Sequence, residues 1–300
     1  MVFSIESVIT TCVSWIMKFG TLLVAILFLA LTGVSVVDVT LAEWMALILI
    51  IVAGIPHGSF DLRVAQTKWG THGAKRWLLI TAYLILVILM SGFCLVQPLL
   101  GFLSFLAISA LHFSEGESLD SRSTYSVRGC CVGVGAIIIP IGMHLDEARN
   151  YLAFFVSEPM FVALSPWILA TAWGLSGFIL LGEIITLVRG PQVNRAESIE
   201  RLLCLVAWMS LSPLAGFAVW FLGRHSRMHL ETCGAMFSET RFTIPLDFLL
   251  LSVAAVVLLL PFAWLFDLTD IHQLFTATLA LVAGLTLPHI VVSHRMQDTV

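Results

Sequence analysis

Long apolar runs recur along the whole chain, and they constrain its fold more than any other feature. A membrane-spanning helix needs about 20 apolar residues. Apolar runs lie near 19–37, 42–57, 77–96, 99–113, 130–144, 164–188, 202–222, 245–266 and 272–293. Charged residues make up only 11 % of the 300 residues, against roughly 25 % in a soluble domain. The sequence therefore predicts a multi-pass membrane protein rather than two soluble domains.

The spans are predicted to be helices, because lipid offers the backbone no hydrogen-bond partners and the uninterrupted runs lack the alternation of a barrel. We predict an all-α, polytopic integral membrane bundle with about eight or nine transmembrane helices, since three of the runs are short for a full crossing. Residues 1–300 form a single domain in this interpretation, with an amphipathic stretch near 3–17 and no cleavable signal peptide.

The remaining charges and the cysteines exclude other classes of protein. The net charge of −4 is spread over short loops, so no nucleic-acid partner is expected. Most of the Lys and Arg residues fall in loops that the predicted spans place on the same side of the membrane as the N-terminus. Because cytoplasmic loops carry an excess of Lys and Arg, this favours a cytoplasmic N-terminus in the cell (inner) membrane. The six cysteines lie mostly inside apolar runs without CxxC spacing, so they read as small buried hydrophobes.

Histidine is the informative ionisable residue, because ionisable groups within spans are costly and by default mark a function. Four of the nine histidines lie in loops or at span ends, where an interfacial or solvated role is the simplest interpretation: His72, His144, His272 and His294. The other five lie inside apolar segments or where these meet carboxylates and breakers, and they are His57, His112, His225, His229 and His289.

These five histidines indicate a membrane-embedded metal site. The spacing of four puts His225 and His229 on one helix face, close enough to share one metal. If the segment after His57 stays helical, Asp61 reaches back to the second ring nitrogen of His57, as carboxylates do behind metal-ligating imidazoles. Each histidine taken alone could instead be an ordinary residue at a helix end, with its ring nitrogens hydrogen-bonded and no metal bound. Ligand type leaves Fe, Cu, Zn and Ni open, and no HExxH motif is present.

Simple alternation of spans separates these histidines. It places His57 and His112 at one membrane surface and the pair at 225 and 229 at the other, across about 30 Å of hydrocarbon. We therefore predict that Pro213 splits the 199–237 region into a half-helix over 199–211 and a span over 213–237. Gly216 and Gly223 would allow close packing of that span.

The histidine segments resemble four signature blocks of the Brp/Blh family, the bacterial and archaeal membrane β-carotene 15,15′-dioxygenases. The blocks stand here as Pro56-His57-Gly58-Ser59-Phe60-Asp61, His112-Phe113-Ser114-Glu115-Gly116-Glu117, His225-Ser226-Arg227-Met228-His229 and Leu287-Pro288-His289. Glu117 takes the place of the more usual Asp, and Met228 departs from the usual Ser-Leu-Arg-His order. The four blocks occur in the family's order over about 230 residues.

The resemblance implies an oxidoreductase that uses O₂ and non-haem Fe(2+) to cleave β-carotene at its central 15,15′ double bond into two molecules of all-trans-retinal. It carries over four iron ligands, His57, His112, His225 and His229, with no catalytic residue beyond them. His289 and Asp61 are candidates for further ligands or for residues that support the ligands. The expected partners are β-carotene and O₂ as substrates, the lipid bilayer, and a retinal-binding rhodopsin that uses the product.

Three other interpretations stay open on the residues themselves. A membrane desaturase or hydroxylase with a di-iron site needs its histidines in several boxes, including HxxHH, and nine histidines with one HxxxH and no HH fall short of that pattern. A haem-binding bundle needs only paired axial histidines, and a carotenoid or retinal carrier needs no chemistry at all. Aromatic residues near the histidines are candidates for a substrate tunnel or ordinary filler of spans: Phe113, Phe217, Trp220 and Phe221.

Overall fold

The computed structural model describes residues 20–115, 117, 126–189, 192–236 and 246–294, apart from the side chains of residues 53–57, 192–194, 234–236 and 246–249. The predicted amphipathic stretch near 3–17 lies outside these residues. The described part of the chain is helical, without strands, which confirms the predicted all-α class. It divides into unit 1, Ile51–Phe105 with Ser226–Val300, and unit 2, Gly20–Ile50 with Leu106–His225.

The α-helices are, in chain order, α1 Gly20–Val37, α2 Val39–Leu49, α3 Asp61–Trp69, α4 Ala74–Val96, α5 Pro98–Glu115, α6 Val127–Met143, α7 Leu145–Leu152, α8 Glu158–Arg189, α9 Gln192–Ser210, α10 Pro213–Trp220, α11 Arg227–Met236, α12 Leu246–Val257 and α13 Ile271–Ser293. Two π-helical segments, Ile50–Gly54 and Phe221–Ser226, and two 3₁₀ segments, Ile55–Phe60 and Leu260–Trp264, interrupt or extend them.

Five helices of the described residues are long and apolar enough to cross a membrane: α1, α4, α5, α8 and α13. A sixth crossing arises if α6 and α7, which meet at a bend of 105°, form one broken span. The predicted eight or nine crossings exceed this number because three apolar runs are broken. The runs near 42–57 and 245–266 change to π or 3₁₀ geometry partway, and the run near 202–222 breaks before Pro213.

The predicted break at Pro213 is confirmed. Helix α9 ends at Ser210, and a new helical stretch begins at Pro213 and continues through α10, the π segment and α11 to Met236. Proline at the first helical position lacks only an N–H that would have no partner there anyway. A Cβ on Gly216 would lie 2.9 Å from the carbonyl oxygen of Ala207, so this glycine lets α10 pack directly against α9.

Within unit 1, α13 packs along α4 and carries His289 near its end. The closest approach is at Gly284, where a Cβ would lie 2.7 Å from the carbonyl oxygen of Val87 and 2.2 Å from Ser91 Oγ. Helix α3 also packs against α13. These contacts bring the start of α3 and the last turns of α13 together.

Within unit 2, α6 packs on α8, and α9 packs against α1, α6, α8 and α10. Helix α6 begins at a capped end, where Ser126 Oγ accepts a hydrogen bond from the backbone N–H of Gly129. A Cβ on Gly133 would lie 2.7 Å from the carbonyl oxygen of Ala110. The absence of a side chain there lets α6 lie against the last turns of α5, which carry His112.

Candidate metal centre

Unit 2 brings His112 and His225 together. His112 lies in the last turn of α5, and His225 lies in the π segment Phe221–Ser226. Their ring centroids are 5.1 Å apart with the planes at 82°, and both residues are buried. A π turn holds one residue more than an α turn and is common at functional sites. Two of the four predicted ligands are therefore neighbours.

Aromatic rings surround His225. Trp220 and Phe221 stack on it at centroid distances of 5.2 and 5.6 Å, and Phe113 meets it edge-on at 4.8 Å. Phe217 stacks on Phe221 at 5.2 Å. The four residues named as tunnel candidates therefore form one cluster beside His225. Their role in a tunnel stays a prediction.

Unit 1 holds a second group, made of Asp61, His229 and His289. One potential ligand atom of each residue lies within 4.8 Å of those of the other two, and all three are buried. The rings of His229 and His289 have centroids 4.9 Å apart. Imidazole nitrogens and carboxylate oxygens are donors that suit iron(II). This group fits a transition-metal ion by both donor type and spacing.

Asp61 makes two short contacts within that group. Its Oδ1 lies 2.7 Å from His289 Nδ1, and its Oδ2 accepts a hydrogen bond of 2.8 Å from the hydroxyl of Tyr83. A carboxylate in this position accepts from Nδ1–H of the ring, which would leave Nε2 as the donor atom toward a metal. The first helical residue of α3 thereby fixes the orientation of a histidine 228 positions later.

Asp61 was predicted to reach back to His57, and that contact stays a prediction, while the described contacts of its carboxylate are with His289 and Tyr83. The prediction required α-helical spacing after His57. The segment Ile55–Phe60 is a 3₁₀ helix, which has about 3.0 residues per turn, so residue i+4 no longer lies above residue i. The side chain of His57 lies outside the described part. Its neighbour Gly58 lies beside the pair, since a Cβ there would be 3.4 Å from His289 Nδ1 and 3.6 Å from Asp61 Oδ2.

A network of buried ion pairs occupies one end of unit 2, where α5 and α8 end and α6 begins. Arg224 grips Glu117 with two hydrogen bonds, from Nε to Oε1 at 2.7 Å and from Nη2 to Oε2 at 2.8 Å. Arg201 bonds both Glu117, at 3.2 Å, and Glu183, at 2.9 Å. Two further pairs extend the network, Arg128 with Glu183 and Arg224 with Glu200.

Within this network, three arginines face four glutamates, because the partly exposed Glu197 also pairs with Arg201 and Arg224. Arg201, Arg224 and Glu183 are at most 2 % exposed. Burial by itself would raise the pKa of Glu117, which lies beyond the end of α5, but the charges and hydrogen bonds of Arg224 and Arg201 outweigh it and lower this pKa below its usual value. A carboxylate with a lowered pKa keeps its ion pairs as the pH falls, until the pH passes through that lowered pKa. Glu117 is therefore ionised at neutral pH.

The sequence interpretation missed this network. It counted Arg128, Arg201 and Arg224 as loop charges in assigning the orientation, whereas the structure buries Arg201 and Arg224 and pairs all three with glutamates. The sequence did contain a signal for these charges, because Glu117 ends one histidine block and Arg224 immediately precedes another. Tyr83 was missed too, although it is one of only three tyrosines in the chain and lies inside a long apolar run.

The expectation that the cysteines are buried is confirmed for Cys94, Cys204 and Cys233, whereas Cys130 and Cys131 are only partly buried, and all five carry free thiols. Cys12 lies outside the described residues. Cys233 Sγ lies 3.6 Å from His229 Nε2, so this small side chain borders the group in unit 1.

Helical spans with buried histidines, one of them paired with a carboxylate, define the chain as a helical membrane protein with a candidate metal site. The family model for β-carotene 15,15′-dioxygenase matches residues 48–297, and the chain belongs to this family. A relative described as β-carotene 15,15′-dioxygenase, from an uncultured marine bacterium 66A03, is 27 % identical over 201 residues, which cover 64 % of this chain and 69 % of the relative. No solved structure matches the chain significantly.

The family match confirms the resemblance drawn from the four histidine blocks, and it confirms the prediction of a carotenoid-cleaving enzyme. All five candidate histidines and Asp61 fall inside the matched residues. The structure groups them as His112 with His225 in unit 2, and as His229 and His289 with Asp61 in unit 1.

Proposed function

We propose that this protein cleaves β-carotene with O₂ at the central 15,15′ double bond, giving two molecules of all-trans-retinal. The observation that carries the proposal is the match of residues 48–297 to the β-carotene 15,15′-dioxygenase family. The buried group of Asp61, His229 and His289 supports it independently, because these donors fit a redox-active metal within an apolar helical protein.

Iron(II) is the proposed metal, and it would supply the activation of O₂. We propose His57, His112, His225 and His229 as its ligands, with His289 as a further ligand that Asp61 orients. Five neutral imidazoles would leave the ion its charge and one open coordination position for O₂. The Asp61 carboxylate keeps a proton on His289 Nδ1 and so presents Nε2 to the ion.

The surroundings suit an apolar substrate. β-Carotene dissolves in the bilayer, and large apolar side chains are exposed along the spans, such as Leu89, Trp167 and Leu181. The aromatic cluster beside His225 keeps water away from that histidine, and a dry site limits side reactions of activated oxygen. We propose that the enzyme works in the cell (inner) membrane and that retinal passes through the bilayer to a retinal-binding rhodopsin.

The test is expression in cells that accumulate β-carotene, with pigment and retinal followed by chromatography. Wild type should bleach the cells and produce retinal, and His225→Ala should do neither while reaching the membrane in similar amounts. His72→Ala is the matched control, because His72 lies exposed in the loop between α3 and α4. Retinal from His225→Ala at the wild-type level would contradict the proposed site.

The same cells separate the alternatives. A carrier would leave carotene intact in every variant and still bind it. A haem protein would purify with an absorbance near the haem Soret band and without stoichiometric non-haem iron. Carotene that persists with folded wild-type protein and added iron would overturn β-carotene cleavage.

A further inference from the structure

The buried ion-pair network of unit 2 reaches both of that unit's candidate ligands. Glu117 follows His112 by five residues, and its backbone N–H donates to the carbonyl oxygen of Ser114 at 3.3 Å. Arg224 immediately precedes His225 in the π segment. The Arg224–Glu117 pair therefore joins the chain just after one histidine to the chain just before the other.

The form of this pair makes it a rigid link. Two parallel hydrogen bonds of 2.7 and 2.8 Å join the planar guanidinium to the carboxylate, and such forks fix angle as well as distance. Each partner is held from behind, since Arg201 bonds Glu117 and Glu200 accepts from Arg224 Nη1 at 2.9 Å. Glu200 in turn accepts a hydrogen bond from Thr21 at the start of α1.

The two side chains of the link and the two histidines have different neighbours. Arg224 contacts glutamates, whereas His225 contacts the rings of His112, Phe113, Trp220 and Phe221. Removing one partner of a buried ion pair leaves a charge without its counterion and is strongly destabilising. Holding helices together does not require such a network, because apolar side chains of similar volume often stabilise a protein equally well or better.

We propose that Arg224 and Glu117 are positioning residues that fix the separation and orientation of His112 and His225 for iron. This inference rests on the proposed function. The ion pair sets the end of α5 against the π segment, and the aromatic cluster then packs around the histidines in the one arrangement that the fork allows.

The chain supplies a matched control within the same network. Glu117 bonds Arg224 and Arg201, and Glu183 bonds Arg128 and Arg201. Both glutamates are buried, and each bonds two arginines. Glu183 lies in α8, which carries no candidate ligand. Glu117→Gln and Glu183→Gln therefore remove the same charge from similar surroundings and differ in their link to the histidines.

The experiment compares purified full-length wild type, Glu117→Gln, Glu183→Gln and Glu117→Asp in detergent. It measures Fe(II) affinity and the electron paramagnetic resonance spectrum of the Fe(II) protein treated with nitric oxide. For Glu117→Gln we expect a changed spectrum and an iron affinity about tenfold weaker, near the lower end for residues behind metal ligands. Glu183→Gln should keep the wild-type spectrum, and Glu117→Asp, which restores the charge, should recover most of the affinity.

Equal effects of Glu117→Gln and Glu183→Gln on the spectrum, or no effect of either, would overturn the inference. If Glu117→Gln does not accumulate, the spectrum of Arg224→Lys tests the inference instead. This variant keeps the positive charge and loses the two parallel hydrogen bonds to Glu117. A wild-type spectrum from Arg224→Lys overturns the inference, and an altered one supports it. Wild-type protein that binds no Fe(II) would instead overturn the proposed function, so the two failures are distinct.

Discussion

Asp61 illustrates how one residue can connect distant parts of the chain. Its two carboxylate oxygens each contact a different neighbour, His289 Nδ1 and the hydroxyl of Tyr83. Both neighbours lie far from it in the sequence, and all three side chains are buried or largely buried. A buried carboxylate with two donors stays in one orientation, so the histidine it contacts does too.

Replacing Asp61 by Asn should weaken iron binding about 10–100-fold, the usual cost of losing a carboxylate behind a metal-ligating imidazole. The amide keeps the volume but offers one acceptor oxygen where the carboxylate offers two. Iron titration of the purified protein measures the change. Asp267→Asn is the control, because Asp267 is exposed in the segment before α13. Its carboxylate accepts hydrogen bonds from the backbone N–H and the hydroxyl of Thr269, which is no candidate ligand. Unchanged iron affinity in Asp61→Asn would contradict the orienting role.

Tyr83→Phe should have a smaller effect in the same direction. The mutation removes one hydrogen bond to a charged group, worth about 1.5–3 kcal/mol, and leaves the contact between Asp61 and His289 in place. We expect iron affinity to fall, but by less than in Asp61→Asn. Tyr151→Phe offers a comparison in unit 2, where the buried Tyr151 hydroxyl interacts with Glu43. Tyr151→Phe should lose stability and keep its iron affinity. An equal loss of iron affinity in Tyr83→Phe and Tyr151→Phe would refute the role of Tyr83 behind Asp61.

At the scale of helices, close approaches at glycine decide where the histidine-bearing segments lie. Helix α13 meets α4 at Gly284, and α6 meets the end of α5 at Gly133, where a Cβ would lie within 2.8 Å of the backbone of its neighbour in each case. An added methyl group would push the helices apart. The position of His289 thus depends on a residue more than one helical turn away.

Gly284→Ala should destabilise the protein by about 1–3 kcal/mol, the usual cost of overpacking a well-packed contact, and should also reduce retinal formation because it displaces the end of α13. Thermal unfolding in detergent measures the first effect and chromatography the second. Gly92→Ala is the matched control on α4, since nothing lies within 4 Å of a Cβ there. A Gly284→Ala protein as stable as Gly92→Ala would show that α4 and α13 can move apart at this contact without loss of stability.

Local sequence signals predicted part of these elements and missed others for physical reasons. The break at Pro213 follows from proline itself, and the histidine blocks were recognisable because their residues are contiguous. The contact between Asp61 and His289 was not predictable, because it depends on how α3, α4 and α13 pack. The partners of Glu117, Arg201 and Arg224 are up to 107 positions apart. Nothing in a linear pattern distinguishes such charges from loop charges.

At the scale of the whole molecule, large apolar side chains are exposed along the helices, while charged side chains such as Arg201, Arg224 and Glu183 are buried. This distribution is the reverse of a soluble protein and is expected where the surroundings are lipid. Ile88, near the middle of α4, is 69 % exposed. The outside of the spans is therefore the part least tolerant of charge.

Ile88→Lys should reduce the membrane-inserted fraction of the protein, since a lysine near the centre of a span costs about 2.5–3.5 kcal/mol for insertion. Ile88→Leu keeps the apolar surface and should insert as the wild type does. Fractionation of membranes, followed by detection of the protein, gives the comparison. Full insertion of Ile88→Lys would indicate that α4 does not face lipid at this position.

The π segment Phe221–Ser226 also accommodates one extra residue of the chain, because a π turn holds one residue more than an α turn. A deletion of one residue within it would let the turn close into a regular α-helix with little rotation of the flanking turns. The same deletion inside α10 would instead rotate His225 by about 100° relative to the start of that helix. The enzyme's tolerance to a change of length is therefore expected to be greatest where its helix is least regular.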